Sequence, residues 1–351
     1  MSFENLSAVL KRKGEICLEN CEIPNPSSHQ VLLAIHTVGI CGSDVHFWKS
    51  GRLGNFVVTG PLVLGHESSG TVVKVGSNVK HLKEGDRVAI EPGIPCRKCE
   101  FCVEGRYNLC PEEKFAATPP DDGTLCRYYC HEADFCFKLP DNVSLEEGAL
   151  LEPLSVAVHA CRRASVTAGM SVLICGAGPI GLVSFLTCKA MGVTKICITD
   201  ISESRLDFAK KLGADSRVCV RDMDIKIALK EINSKLGGSA DVTLECSGAE
   251  SSIRLGAHVT KSGGVLMLIG IGAPEIKFPI LETCLREVDI KGILRYANCY
   301  PSALELVASG AVDLKPLITH RFTLEEVHKA FETSYSGADG AVKVLIRCVA
   351  K

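Results

Sequence analysis

From about residue 30 to about residue 90 the chain runs in short apolar stretches, "VLLAIHTVG", "GTVVKVG" and "DRVAI", separated by Gly, Asp and Lys turns. Runs of that length predict β-strands rather than helices, and their close succession predicts a β-rich, barrel-like domain. Near Ser144 the texture changes. "SLEEGALLEPLSVAVHACRRA" is helix-forming and opens on Ser144 with Glu147 three positions later, the pattern of a capping box. Strand-like and helix-like segments then alternate: "MSVLIC", "PIGLVSFLTCKAM", "KICITD", "SRLDFAKKLG", "DVTLECSG" and "GGVLMLIGIG". Such alternation predicts βαβ units, hence a parallel sheet with helices on both faces. The tail mixes a polar amphipathic helix, "TLEEVHKAFETSYSG", with a final strand, "AVKVLIRC".

A chain of 351 residues that is 46% hydrophobic has material for two domains. Its formal net charge of -2 and the lack of any long Lys/Arg block argue against nucleic-acid or membrane-surface binding, so a small molecule is the expected partner. The first residues, "MSFENLSAVLKRKGEICLEN", do not read as a secretory signal, and no apolar stretch reaches about 18 residues, so no membrane span is expected and the cytoplasm is the default compartment. Nineteen cysteines are then expected to be mostly buried free thiols. Cys175, Cys197 and Cys246, in or beside apolar strand-like runs, read as core.

"VLICGAGPIGLVSF" carries Gly176, Gly178 and Gly181 in G-x-G-x-x-G spacing, with Pro179 and Ile180 between them, directly after an apolar strand and at the opening of an apolar helix. In that context the first glycine permits the tight turn, the second lets backbone approach a pyrophosphate, and the third lets helix pack on strand. The next strand ends in Asp200, nineteen residues past Gly181, where a carboxylate can accept hydrogen bonds from ribose hydroxyls and would repel a 2′-phosphate. NAD is therefore favoured over NADP. Arg205, five residues on, is the dissenting feature, since it could pair with a phosphate or lie against adenine.

"CRKCEFCVEGRYNLC" places Cys96, Cys99, Cys102 and Cys110 in C-x2-C-x2-C-x7-C spacing among Pro, Gly and charged residues. Four thiolates around Zn2+ give a closed tetrahedral site of net charge about -2, which holds structure and has no open position for substrate. A second metal with a working position needs a different donor set. Cys41, His66 and Glu67, in "VGICGSDVHFWKSG" and "PLVLGHESSGTVV", offer a thiolate, an imidazole and a carboxylate that would leave Zn2+ electrophilic. Residue types alone make this trio only a suggestion.

"GHESSG", "GDRVAIEPG", the four-cysteine lobe, "KLPDNVSLEEGALLEPLSVAVHA" and "GAGPIG" resemble the zinc-dependent medium-chain dehydrogenase/reductase family over nearly the full length. "CGSDVHFW", "ATPPDDGTLCRYY", "EPLSVAVHACRRA" and "REVDIKGILRY" are similar to its sorbitol (polyol) dehydrogenase, or ketose reductase, branch, whose members interconvert polyols such as sorbitol or xylitol and the ketoses fructose or xylulose. The resemblance implies an α/β protein: a GroES-like β-barrel catalytic domain over 1–154 with a zinc lobe at 93–112, a Rossmann domain over 155–292, and a return segment, 293–351, completing the first domain. It also implies one catalytic and one structural Zn2+ per subunit, NAD and a homotetramer. Cys41, His66 and Glu67 match the family's catalytic zinc ligands. Glu152 matches a carboxylate that ligates the metal or holds its water, and which of the two glutamates ligates stays open. Ser43 and His46 match the proton relay, and Arg295 and Tyr296 match the substrate pocket. Phe47 stands where several polyol dehydrogenases carry Tyr. Other alcohol or threonine dehydrogenases of the family, an NADP-linked ketose reductase, and a non-catalytic protein that kept the fold are the alternatives.

Overall fold

In a computed structural model, residues 4–349 are described, and they divide into two compact units. Among them, unit one comprises 4–152, 300–309 and 314–349; unit two comprises 153–299 and 310–313.

Among the described residues of unit one, the main sheet orders its strands Cys136–Lys138, Arg87–Ile90, Glu67–Val75, Gln30–Gly39, Lys343–Arg347 and Ile318–Thr323, with Tyr128–Glu132 also paired to Gln30–Gly39. The apolar runs that suggested strands are these strands, and Val31, Leu33, Ile35 and Val38 enter a core with Ile90, Phe331 and Ile346. The tail helix forms as Val327–Ser336 and the last strand as Lys343–Arg347. Ser144 caps the helix Leu145–Ala149: its Oγ accepts from the Glu147 N–H at 3.2 Å while Glu147 Oε2 accepts from the Ser144 N–H at 3.0 Å.

Unit two is a parallel sheet in the order Ser216–Cys219, Lys195–Asp200, Ser171–Cys175, Ala240–Glu245, Thr260–Leu268 and Asp289–Gly292. This is the 3-2-1-4-5-6 order of the dinucleotide-binding fold, with the helices Pro179–Ala190, Glu203–Lys211, Ile225–Leu236 and Glu250–Val259 as crossovers. Strands buried on both faces explain the unbroken apolar runs, as in the fully buried Ser171–Cys175.

The chain returns to unit one at Tyr300 rather than at 293. Tyr300 is fully buried there, its hydroxyl donating to the Ile90 carbonyl at 2.7 Å and its ring stacked on Phe137. Cys175 and Cys197 are fully buried and Cys246 half-buried, its sulfur 3.9 Å from Ser184 Oγ. All nineteen cysteines are free thiols. Burial pushes those of Cys175 and Cys197 up to about 12. No described helix is long and apolar enough to cross a membrane.

Candidate functional site

The four-cysteine lobe is built on a short helical turn, Glu100–Val103, and a 3-10 turn, Tyr107–Leu109, which fold Cys96, Cys99, Cys102 and Cys110 back on one another. The four sulfurs all lie within 4.8 Å of one another, with Cys99 and Cys102 at 3.4 Å. Backbone N–H groups of Lys98 and Cys99 pull the Cys96 thiol down to about 7, whereas burial and its neighbours push Cys102 up to about 12. Four soft donors at this spacing, free of disulfides, fit a tetrahedral metal. The lobe is latched to the sheet by Tyr107, whose hydroxyl donates to Glu91 Oε1 at 2.5 Å and whose ring meets Phe135 edge-on. Arg97 adds an ion pair to Asp134 at 2.8 Å.

Cys41 lies two residues past the strand Gln30–Gly39 and is the N-cap residue of the helix Gly42–Ser50. Asp44, 1% exposed, organises this corner: its carboxylate accepts from the Cys41 N–H at 3.0 Å and the Gly65 N–H at 3.0 Å, and one oxygen lies 3.4 Å from His66 Nδ1. Burial would raise the Asp44 carboxyl, but His66 and the two N–H donors hold it below its ordinary value. A carboxylate beside Nδ1 favours the tautomer with its proton there and leaves the Nε2 lone pair to ligate, an arrangement common to metal-binding histidines. His66 Nε2 has Ser43 Oγ at 3.5 Å, and the Cys41 sulfur is near enough to act electrostatically on the same imidazole. The structure thus brings Cys41 and His66 together as a soft sulfur and a nitrogen, a pair suited to Zn2+.

Glu67 goes elsewhere. Both its carboxylate oxygens lie 2.7 Å from Lys343 Nζ, which also donates to the Ile40 carbonyl at 3.3 Å. Both residues are buried, at 1% and 4% exposure. Burial would lower the Lys343 amine, but Glu67 and then Cys41 outweigh it and raise it. Glu152, 5% exposed, heads the helix Leu151–Arg163 and lies within electrostatic range of Lys343 and of Glu91. Ser43 is half-buried, His46 exposed, and Phe47 buried in the core of unit one.

In unit two, Gly176 turns the chain with φ +101°, a conformation L side chains rarely adopt. Gly178 caps the helix Pro179–Ala190 with open space around it, and a Cβ on Gly181 would lie 1.8 Å from the Gly176 carbonyl oxygen. Asp200, 7% exposed, accepts from the Ala177 N–H at 2.7 Å and the Ser202 N–H at 2.8 Å, so it fastens the glycine turn at the mouth of a helix N-terminus suited to a pyrophosphate. Arg205 is exposed on the following helix. Arg295 has left-handed backbone, φ +50°, and Tyr296 is buried.

Three residues of these corners were not singled out from sequence: Asp44, Lys343, and Glu245. Glu245 is fully buried and accepts from the Gly248 N–H at 2.9 Å and the Ser247 N–H at 2.9 Å, fixing the loop after its strand. Asp44 had a visible signal, an acid three positions after an N-cap. Lys343 had a weaker one, a lone cation inside "AVKVLI".

Residues 27–141 match the family described as alcohol dehydrogenase GroES-like domain, and residues 179–309 match zinc-binding dehydrogenase. The chain is 56% identical to the sorbitol dehydrogenase of Bos taurus over 98% of its own length and 96% of that protein's. Among solved structures it resembles an Escherichia coli oxidoreductase/dehydrogenase of unknown specificity, at TM-score 0.93 and 38% identity over 99% of this chain and 100% of that one. It also resembles L-idonate 5-dehydrogenase of Escherichia coli, at TM-score 0.90 and 30% identity over 99% of each chain. The chain belongs to the zinc-dependent medium-chain dehydrogenase/reductase family. Its likeness to sorbitol dehydrogenases runs through both units.

Proposed function

We propose that the protein is a zinc-dependent, NAD-linked polyol dehydrogenase, interconverting a secondary alcohol of a polyol such as sorbitol or xylitol and the corresponding ketose. The observation that carries the reading is the corner at Asp44, which sets a thiol and an oriented imidazole side by side. Likeness to sorbitol dehydrogenases at 56% identity supports the substrate class.

Cys41 and His66, with a carboxylate from Glu67 or Glu152, would hold the catalytic zinc, and Cys96, Cys99, Cys102 and Cys110 the structural one. A zinc at the first site supplies Lewis acidity, lowering the pKa of a substrate hydroxyl. Ser43 Oγ accepts the departing proton and hands it on. Ser43 and His46 are three positions apart on one helix, so they share a face. Since Ser43 is half-buried and His46 exposed, the imidazole stands on the route to solvent. NAD supplies the hydride acceptor, with Gly176, Gly178, Pro179, Ile180 and Gly181 forming its pyrophosphate turn, and Asp200 and Arg205 flanking its adenosine half. Arg295 and Tyr296 would hydrogen-bond the other polyol hydroxyls.

The homotetramer belongs to the same proposal. Asp289–Gly292 is an edge strand, and Ile280, Leu281, Leu285, Ile290 and Leu294 around it are all more than 40% exposed, an apolar patch suited to a second copy. Cytoplasmic residence is supported by the free thiols, among them Cys161 and Cys188, whose sulfurs lie 3.7 Å apart without a bond.

The test is initial rates with sorbitol, xylitol and ethanol, each with NAD and with NADP, before and after partial zinc removal by chelator. Chelator-sensitive, NAD-linked polyol oxidation is expected. Turnover of a different alcohol with none of the polyols would overturn the substrate class, and faster turnover with NADP would overturn the cofactor.

A further inference from the structure

Lys343 comes from the last strand of unit one and meets a carboxylate on a strand 276 positions earlier in the chain. The seat is made to measure. Gly39, across from Glu67, leaves no room for a side chain, since a Cβ there would lie 2.2 Å from Glu67 Oε2. With its amine shared between Glu67 and the Ile40 carbonyl, Lys343 is held beside Cys41, the next residue along the chain. A buried cation so close to a cation site is unfavourable for metal binding unless it has another task.

We propose that Lys343 is a positioning residue that neutralises Glu67 and competes with the catalytic zinc for it, so that the Glu67–Lys343 pair sets the net charge the metal meets. With Lys343 present, the charge of Glu67 is cancelled and the metal keeps more of its own. This inference rests on the reading that Cys41 and His66 hold zinc, and it makes opposite predictions for the two halves of the pair. Lys343→Met uncovers a carboxylate and removes a like charge, so zinc binds tighter. Glu67→Gln uncovers an ammonium, so zinc binds weaker. A unit charge a few ångströms from the metal, at an effective dielectric constant of about 20, changes affinity by about tenfold or more.

The experiment follows zinc release from the full-length protein to a chromogenic chelator, alongside thermal unfolding with and without added zinc. The metal of the four-cysteine lobe forms a separate pool, and Cys41→Ser identifies the catalytic one by abolishing it. Expected for Lys343→Met is release at least about tenfold slower, with an unfolding midpoint lowered in the zinc-free protein and largely recovered by zinc. Glu67→Gln should release zinc at least about tenfold faster, and Lys343→Arg should behave as wild type. If both variants release zinc faster, or lose the same stability with and without zinc, the pair is merely structural and the proposal fails. If Lys343→Met does not fold, the double variant Lys343→Met/Glu67→Gln, which removes both charges, decides: release within about threefold of wild type supports the proposal, and release as fast as Glu67→Gln overturns it. A wild-type protein without a Cys41-dependent zinc pool would instead refute the metal-site reading beneath it.

Discussion

Glu91 offers the sharpest physical test of the fold around the two metal corners. It is 2% exposed at the end of the strand Arg87–Ile90, and burial, partly offset by the Tyr107 hydroxyl and reinforced by Glu113 and Glu152, raises its carboxyl from an ordinary value near 4.5 to about 7. A carboxyl raised in the folded state binds its proton more tightly there than in the unfolded chain. Its contribution to stability is therefore complete below about pH 4.5 and is lost as pH climbs to about 7. At about 1.4 kcal/mol per pH unit between those limits, the loss amounts to about 3 kcal/mol. Glu91→Gln removes the ionisation while its amide oxygen still accepts from Tyr107. The assay is urea unfolding of both proteins, treated with chelator, from pH 4.5 to pH 8.5. The stability of the variant relative to wild type should rise by about 3 kcal/mol across the lower half of that range and then level off. Where Glu152 is the carboxylate that holds the proposed zinc, zinc-loaded protein should show a smaller rise, because the dication would pull Glu91 back toward its ordinary value. Parallel pH profiles for the two proteins would refute the reasoning.

Asp200→Ala removes the acceptor for two N–H groups and for the expected ribose contact; KM for NAD should rise at least about tenfold with a smaller change for NADP, and an unchanged NADP/NAD ratio of kcat/KM would deny Asp200 its selecting role. Cys110→Ser should loosen the four-cysteine lobe, seen as faster proteolysis within 93–112 and a lower unfolding midpoint, and a folded variant that lost turnover alone would contradict the structural assignment. Gly39→Ala drives a methyl group against Glu67 Oε2 and should destabilise unit one by about 1–3 kcal/mol, measured by thermal unfolding, with Glu67→Ala in the same chain relieving the clash.

Much of this was legible because it is local. The glycine turn, the capping box at Ser144 and the four cysteines are each contained within fifteen residues, and the structure forms the turn, the cap and the cluster of sulfurs. The corner at Asp44 was half legible: the family resemblance pointed to Cys41 and His66, but the carboxylate that orients them works through backbone N–H groups of two separate segments. The Glu67–Lys343 pair was not legible at all. It joins strands 276 positions apart, and a single buried Lys disturbs the apolar period of its strand too little to announce a partner. The return to unit one at Tyr300 was displaced for a similar reason, since what anchors it is one tyrosine hydroxyl reaching a carbonyl 210 positions away.

The distribution of thiols gives the molecule an internal gauge of its own integrity. Cys21 and Cys284 are exposed, the lobe sulfurs would be shielded by the metal proposed for them until it leaves, and core thiols such as Cys136, Cys175 and Cys197 are both shielded and held protonated by burial. An alkylating reagent would therefore reach Cys21 and Cys284 first, the five proposed zinc ligands Cys41, Cys96, Cys99, Cys102 and Cys110 as metal is withdrawn, and the buried thiols only as the chain opens, with half-buried Cys17, Cys130, Cys219 and Cys246 reacting at intermediate rates. The order of labelling, followed by mass spectrometry, separates loss of metal from loss of fold in a single time course.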